Sequence, residues 1–215
     1  MTAYALSALV VALSGTVGLV LQSGLPRTGR IRPGMFCFYT AQSNLLVVVY
    51  EFALFTAWLF RSGAVLRLLA APGAALAVTV CIWVTHLVFH FALVPYIRRT
   101  GKSFVDSSQD RIGNVLVHYV TPLLTLLQWI LWADKTGLGV RHALWWLVIP
   151  LFYLIYVLLR ARTGRPIGST ELMYPYFFLY LPTLGVKRFC LNVALLMVVF
   201  FALALILVEI SRVLP

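Results

Sequence analysis

PGAALAVTVCIWVTHLVFHFALVPY, residues 72–96, contains no Asp, Glu, Lys or Arg. A helix needs about 20 predominantly apolar residues to cross the hydrocarbon of a bilayer. This run exceeds that length, and its most polar side chains are His86 and His90. It reads as a membrane span. Five further apolar runs occupy 4–21, 38–59, 114–132, 143–159 and 189–210. The expected fold is therefore all-α: a polytopic membrane protein with six transmembrane helices in one bundle, a single domain over 1–215. Strand-type alternation is absent, which excludes a β-barrel. The first run lacks a basic flank, so it reads as a retained span rather than a cleaved leader.

Composition agrees. Apolar residues make up 62% of the chain and charged residues 11%, and the mean hydropathy is +0.96. Soluble domains are about half apolar and about a quarter charged. A soluble enzyme, a disordered chain and a disulfide-stapled secreted domain are all excluded. Cys37, Cys81 and Cys190 are odd in number and lack metal-type spacing, so they read as apolar fillers. The one long connector runs over 160–188. It contains ELMYPYFFLYLP at 171–182, broken by Pro175 and Pro182. That stretch is expected to lie at the membrane interface, where Tyr is favoured, and could cover the mouth of a pocket.

The chain has 17 Lys+Arg against 6 Asp+Glu, a net charge of +11. These cations sit in the loops between apolar runs, five of them in the long connector 160–188, where they orient helices and meet anionic lipid headgroups; no nucleic-acid partner is implied. On the N-terminal side, here side A, lie Arg61, Arg67, Lys135, Arg141 and Arg212. Side B collects Arg27, Arg30, Arg32, Arg98, Arg99, Lys102, Arg111, Arg160, Arg162, Arg165, Lys187 and Arg188. The excess makes side B cytoplasmic and places both termini outside. The preference for Arg over Lys and the Ala-, Val- and Leu-rich helices suggest a GC-rich bacterial genome, hence a bacterial cytoplasmic membrane.

Polar residues within spans are costly and mark function. Here they gather near side B. Thr40 and Asn44 share a face of the second helix, four residues apart. Asn114 and His118 open the fourth helix with the same spacing, and His86 and His90 lie near the side-B end of the third. Asn192 opens the sixth. At about 1.5 Å per residue, Thr40, His90 and His118 lie roughly one to two turns inside side B. Pro122 lacks an N–H, so the carbonyl of His118 loses its helical partner and can accept from another group. A purely structural network of interhelical hydrogen bonds would also use these residues.

A hydroxyl becomes a competent nucleophile when an imidazole takes its proton. Thr40 with His118 is one such pairing, and Ser43 is an equally available hydroxyl. Oxyanion donors could come from the amides of Gln42, Asn44 and Asn114, or from N–H groups at helix starts. A metal or haem reading competes through His86, His90 and His118. A two-haem carrier, however, needs histidines at both depths, and side A supplies only His142. With no HExxH and no acidic cluster, no metal or cofactor is expected. A transporter would show an internal repeat or paired broken helices, and neither is visible.

FYTAQSNLL at 38–46, HLVFHFAL at 86–93, NVLVHYVTPLL at 114–124 and YPYFFL at 174–179 together resemble the family of the androgen-induced-gene product and the androgen-dependent TFPI-regulating protein, in its bacterial branch. The resemblance runs from the second helix to the sixth, in the same order. Its weight lies in that order, since each motif is short. Animal members are multi-pass membrane hydrolases that use a Thr and a His to cleave fatty acid esters of hydroxy fatty acids. The resemblance implies Thr40 as nucleophile and His118 as base, with His90 matching a recurring histidine of the bacterial branch. The expected function is thus intramembrane hydrolysis of a lipid ester, with Gln42, Ser43, Asn44, His90, Asn114 and Asn192 supporting the site. The alternative is a non-catalytic lipid-binding or transport protein using the same pocket.

Overall fold

A computed structural model describes residues 1–101, 111–168 and 171–214. Lys102, counted above on side B, lies outside the described residues. Six helices are long and apolar enough to cross a membrane: α1 Thr2–Gln22, α2 Tyr39–Leu59, α3 Pro72–Thr100, α4 Arg111–Trp132, α5 Val140–Ala161 and α6 Leu181–Ser211. No strand occurs among the described residues, so the all-α polytopic bundle stands. The largest shift from expectation is at α6, which starts at 181 rather than 189. Pro182 sits in its first turn, where a missing N–H costs nothing. Gly185 then breaks the helix with φ 69°, a conformation open mainly to glycine.

Two helices carry a widened turn. In α3, over Phe89–Leu93, the Val94 N–H reaches back to the Phe89 carbonyl. In α4, over Leu116–Val120, the Thr121 N–H reaches back to the Leu116 carbonyl. Each five-residue step immediately precedes a proline, Pro95 or Pro122. The pyrrolidine ring collides with the carbonyl four residues earlier, and a wider turn relieves that crowding. Such single π-turns recur at functional sites.

Helix α1 nests against α2 and α4 through small residues. Ala5, Ala8, Ala12, Gly15 and Gly18 make up most of its buried face, with Tyr4, Val11 and Gln22. A Cβ on Gly15 would lie 2.6 Å from Val48 Cγ2, and one on Gly18 would lie 2.8 Å from Val117 Cγ1. In lipid, where apolar burial drives little association, such close backbone approach is what holds helices together. The hydroxyls of Ser14 and Thr121 meet at 2.9 Å across the same seam. Toward side A, the buried Glu51 carboxyl accepts from the Gln128 amide at 2.9 Å, tying α2 to α4. The opposite face of α1, with Leu6, Val10, Leu13 and Val17, is exposed, as a lipid-facing surface is.

The seam makes a prediction. Gly18→Leu overpacks the contact with Val117 and should cost about 1–3 kcal/mol, seen as a lowered unfolding midpoint in detergent. Val17→Leu, on the exposed face, should leave the midpoint unchanged. Equal midpoints for the two variants would contradict the packing described.

Candidate active site

The site is built where α4 cannot satisfy its own backbone. The widened turn sends the Thr121 N–H to Leu116, past the carbonyl of Val117. Pro122 has no N–H to give the carbonyl of His118. Two successive carbonyls of one membrane helix are thereby offered to neighbours. Asn44 on α2 donates its amide to the Val117 carbonyl at 3.1 Å and to the Thr40 carbonyl at 2.8 Å. His86 on α3 donates from Nδ1 to the His118 carbonyl at 2.8 Å. The acceptor that Pro122 frees is thus taken by His86, one of the α3 histidines.

These ties bring Thr40 and His118 together. The Thr40 hydroxyl lies 3.2 Å from His118 Nε2, and His118 Nδ1 lies 3.1 Å from the Asn114 carbonyl. A carbonyl can only accept, so Nδ1 carries the proton. Nε2 is then the acceptor, and the Thr40 O–H donates to it. The three groups form a relay: hydroxyl, imidazole, carbonyl. The backbone of Asn114, one turn earlier on the same helix, occupies the place an Asp holds in a serine-hydrolase triad. Phe89 stacks on the imidazole with centroids 3.7 Å apart and planes at 21°. That ring excludes water from one face of His118, which is 6% exposed.

The remaining expected residues separate into two sets. Ser43 lies on the far side of Thr40: its hydroxyl meets Thr85 at 2.7 Å and donates to the Thr40 carbonyl at 3.2 Å. It is spent on structure and competes poorly as a nucleophile. Asn44 is also spent, and its amide braces α2 against α4 rather than facing an oxyanion. The Asn114 side chain turns toward Gln22, 3.5 Å away on α1, and only its carbonyl serves the imidazole. Gln42 is turned out of the site, its amide donating to the Phe36 carbonyl at 2.8 Å. One step of 100° from Ala41 on the helix carries it to the outer face. His90 also points away, 3.2 Å from the Tyr119 hydroxyl on the exposed side of the bundle. Asn192 acts at a distance, donating to the Phe178 carbonyl at 3.0 Å.

That bond leads to a residue missed at the sequence level. The aromatic segment does more than rest at the interface. Tyr176, 5% exposed, inserts its hydroxyl at the start of α2, where it accepts the Tyr39 N–H at 3.0 Å. It also interacts with the Thr40 hydroxyl and backbone. Its ring stands edge-on to Phe38 at 5.9 Å and stacks on Phe178 at 5.1 Å. Burial pushes the Tyr176 phenol above its ordinary value, against the opposing hydrogen bonds with Thr40, Tyr39 and Tyr153. It stays an uncharged O–H donor at any ordinary pH. Arg160 at the end of α5 holds the same segment from outside, donating to the carbonyls of Met173 at 3.0 Å and Pro166 at 2.8 Å. In the side-B polar cluster Thr40 and Tyr176 line a cavity, while His118 and the Asn114 carbonyl stand behind Thr40.

Among the described residues, no three His, Cys, Asp or Glu side chains gather in a metal-holding group. No protein-family model, curated protein or solved structure matches this chain.

The bond from Asn192 to Phe178 is testable. Asn192→Ala should loosen the 171–180 segment and speed its cleavage by a protease added to the detergent-solubilised protein. The helices should keep their protection. Unchanged cleavage would mean that Arg160 and the aromatic stacking alone hold the segment.

Proposed function

We propose that this chain is an intramembrane lipid ester hydrolase with Thr40 as nucleophile and His118 as general base. The single observation that carries the reading is the relay in which the Thr40 hydroxyl faces an imidazole nitrogen left unprotonated by the Asn114 carbonyl. The resemblance to the androgen-induced-gene product family points to the same pair, and to fatty acid esters of hydroxy fatty acids as the substrate class. The reaction needs no cofactor.

In the first half-reaction His118 Nε2 takes the Thr40 proton as Thr40 Oγ1 attacks the ester carbonyl. The imidazolium keeps its Nδ1–H on the Asn114 carbonyl, so the ring does not turn. Negative charge develops on the carbonyl oxygen beside the Tyr176 hydroxyl, which donates to it. The tetrahedral adduct collapses and the C–O bond to the alcohol breaks. His118 returns its proton to the departing alkoxide, leaving an acyl-threonine. Water then attacks that ester with His118 again as base, releasing the acid and restoring the Thr40 hydroxyl.

Thr40→Ala and His118→Ala should each abolish labelling by a fluorophosphonate probe and hydrolysis of a lipid ester, with the unfolding midpoint retained. Tyr176→Phe should lower kcat by about 10²–10³ with little change in KM, the usual cost of removing one oxyanion donor. Labelling that persists in Thr40→Ala, or moves to Ser43, would overturn the assignment.

The side of the membrane follows from charge. Side B, which carries Arg27, Arg30, Arg32, Arg98 and Arg99 near the start of α2 and the end of α3, is placed in the cytoplasm of a bacterial cell. The relay then opens toward the inner leaflet and both termini lie outside. A lipid ester reaches Thr40 laterally, with its carbonyl at headgroup depth. Alkaline phosphatase fused to the C-terminus should be active and green fluorescent protein dark. The reverse pattern would move the site to the outer leaflet without altering its chemistry.

A further inference from the structure

The cavity beneath Thr40 runs from side B toward the middle of the bundle. Its mouth is formed by Tyr39, Thr40, Tyr176 and Leu179, and its wall descends along α3 from Leu93 to Val84 and along α6 from Val193 to Phe200. At 1.5 Å per residue those stretches extend about 10–14 Å along the helix axes. The deep end is Phe200, which is 8% exposed and lies 5.9 Å ring to ring from the fully covered Trp146. Pro150 of α5 also lines the cavity.

The wall offers a ligand almost no polar atom away from the mouth. Thr85 is paired with Ser43 at 2.7 Å, Tyr153 donates to the Cys37 carbonyl at 2.9 Å, and the Tyr39 hydroxyl meets Cys81 at 3.1 Å. Hydroxyls satisfied in this way cost a hydrocarbon ligand nothing and reward a polar one little. The polar groups that remain for a ligand are those at the mouth, Thr40, backed by His118, and Tyr176. The cavity therefore suits a molecule with a carbonyl at one end and an unbranched alkyl chain behind it.

We propose that this slot binds the acyl chain of the substrate and measures its length, with Phe200 as the floor. The proposal rests on the hydrolase reading for the position of the carbonyl, and on the cavity alone for the chain. Such a slot suits the acyl part and not the alcohol. The acyl group stays covalently on Thr40 while the alcohol leaves and water arrives, so the departing group needs the open side. An extended chain advances about 3.3–3.6 Å per three backbone bonds, close to 1.2 Å per bond, so 10–14 Å, less about 2 Å for the terminal methyl's own radius, accepts roughly seven to nine bonds. The slot selects medium-chain acyl groups of about eight to ten carbons, and longer chains must displace Phe200 from Trp146.

The test uses the purified full-length protein and p-nitrophenyl esters with acyl chains from four to sixteen carbons. kcat/KM should peak at about eight to ten carbons and fall by at least about tenfold at sixteen, within the range that misfit methylenes produce in an apolar pocket. Phe200→Leu should move the peak to longer chains by about two carbons and Phe200→Ala by about four. Phe200→Leu guards against a folding defect in the larger truncation. Alkyl acetates, which vary the alcohol instead, should show no such peak. A flat acyl profile, a peak indifferent to both Phe200 variants, or the same peak with alkyl acetates would each overturn the proposal. A second readout is independent of turnover: thermal stabilisation of His118→Ala by free fatty acids of the same lengths. Stabilisation peaking at eight to ten carbons, with no ester hydrolysed by the unsubstituted protein, would uphold the slot and reject the hydrolase. Stabilisation that ignores length would reject the slot.

Discussion

In hydrocarbon, a backbone carbonyl without a donor is expensive, and α4 leaves two of them in succession. Pro122 removes the donor that His118 would have had, and the widened turn ahead of it diverts the Thr121 N–H from Val117. Neither water nor lipid can repair this. The side chains of Asn44 and His86 do so. In doing so they draw α2 and α3 onto α4 at one depth. The meeting of Thr40 with His118 is a by-product of that repair: Thr40 stands one turn before Asn44, and His118 itself bears one of the two carbonyls.

Much of this was readable from residues. The six spans follow from length and hydropathy, because a bilayer imposes both. Segregation of polar side chains toward side B, and the freed carbonyl of His118, follow from helix spacing and from the chemistry of proline. What escaped was anything that depends on a side chain's direction rather than its depth. Gln42 and His90 lie at the right level but point outward, as one step of 100° or one widened turn is enough to ensure. Asn44 and Asn114 look alike as amide donors, yet one is spent on backbone and the other contributes its carbonyl instead.

Tyr176 was hidden for a different reason. The 171–182 stretch has no helical or strand period, so nothing in its pattern says which of its tyrosines turns inward. Its aromatic content marks an interface and conceals an insertion. The inward turn is enforced from elsewhere, by Asn192 on α6 and Arg160 on α5, each holding a carbonyl of the segment. Those contacts reach 13 and 14 residues along the chain, beyond any helical or strand period.

The two carbonyls that α4 surrenders also act as fixed stops along the axes of its neighbours. A helix face of small residues such as that of α1 tolerates sliding, because one small side chain resembles the next. A carbonyl does not: it accepts within about 3 Å, and one residue of slip moves a donor by about 1.5 Å. Asn44 and His86 therefore index α2 and α3 against α4 to the nearest residue. A bundle otherwise lubricated by alanine, valine and leucine is given a ratchet pawl at one end. The gap between hydroxyl and imidazole is held by the same two teeth.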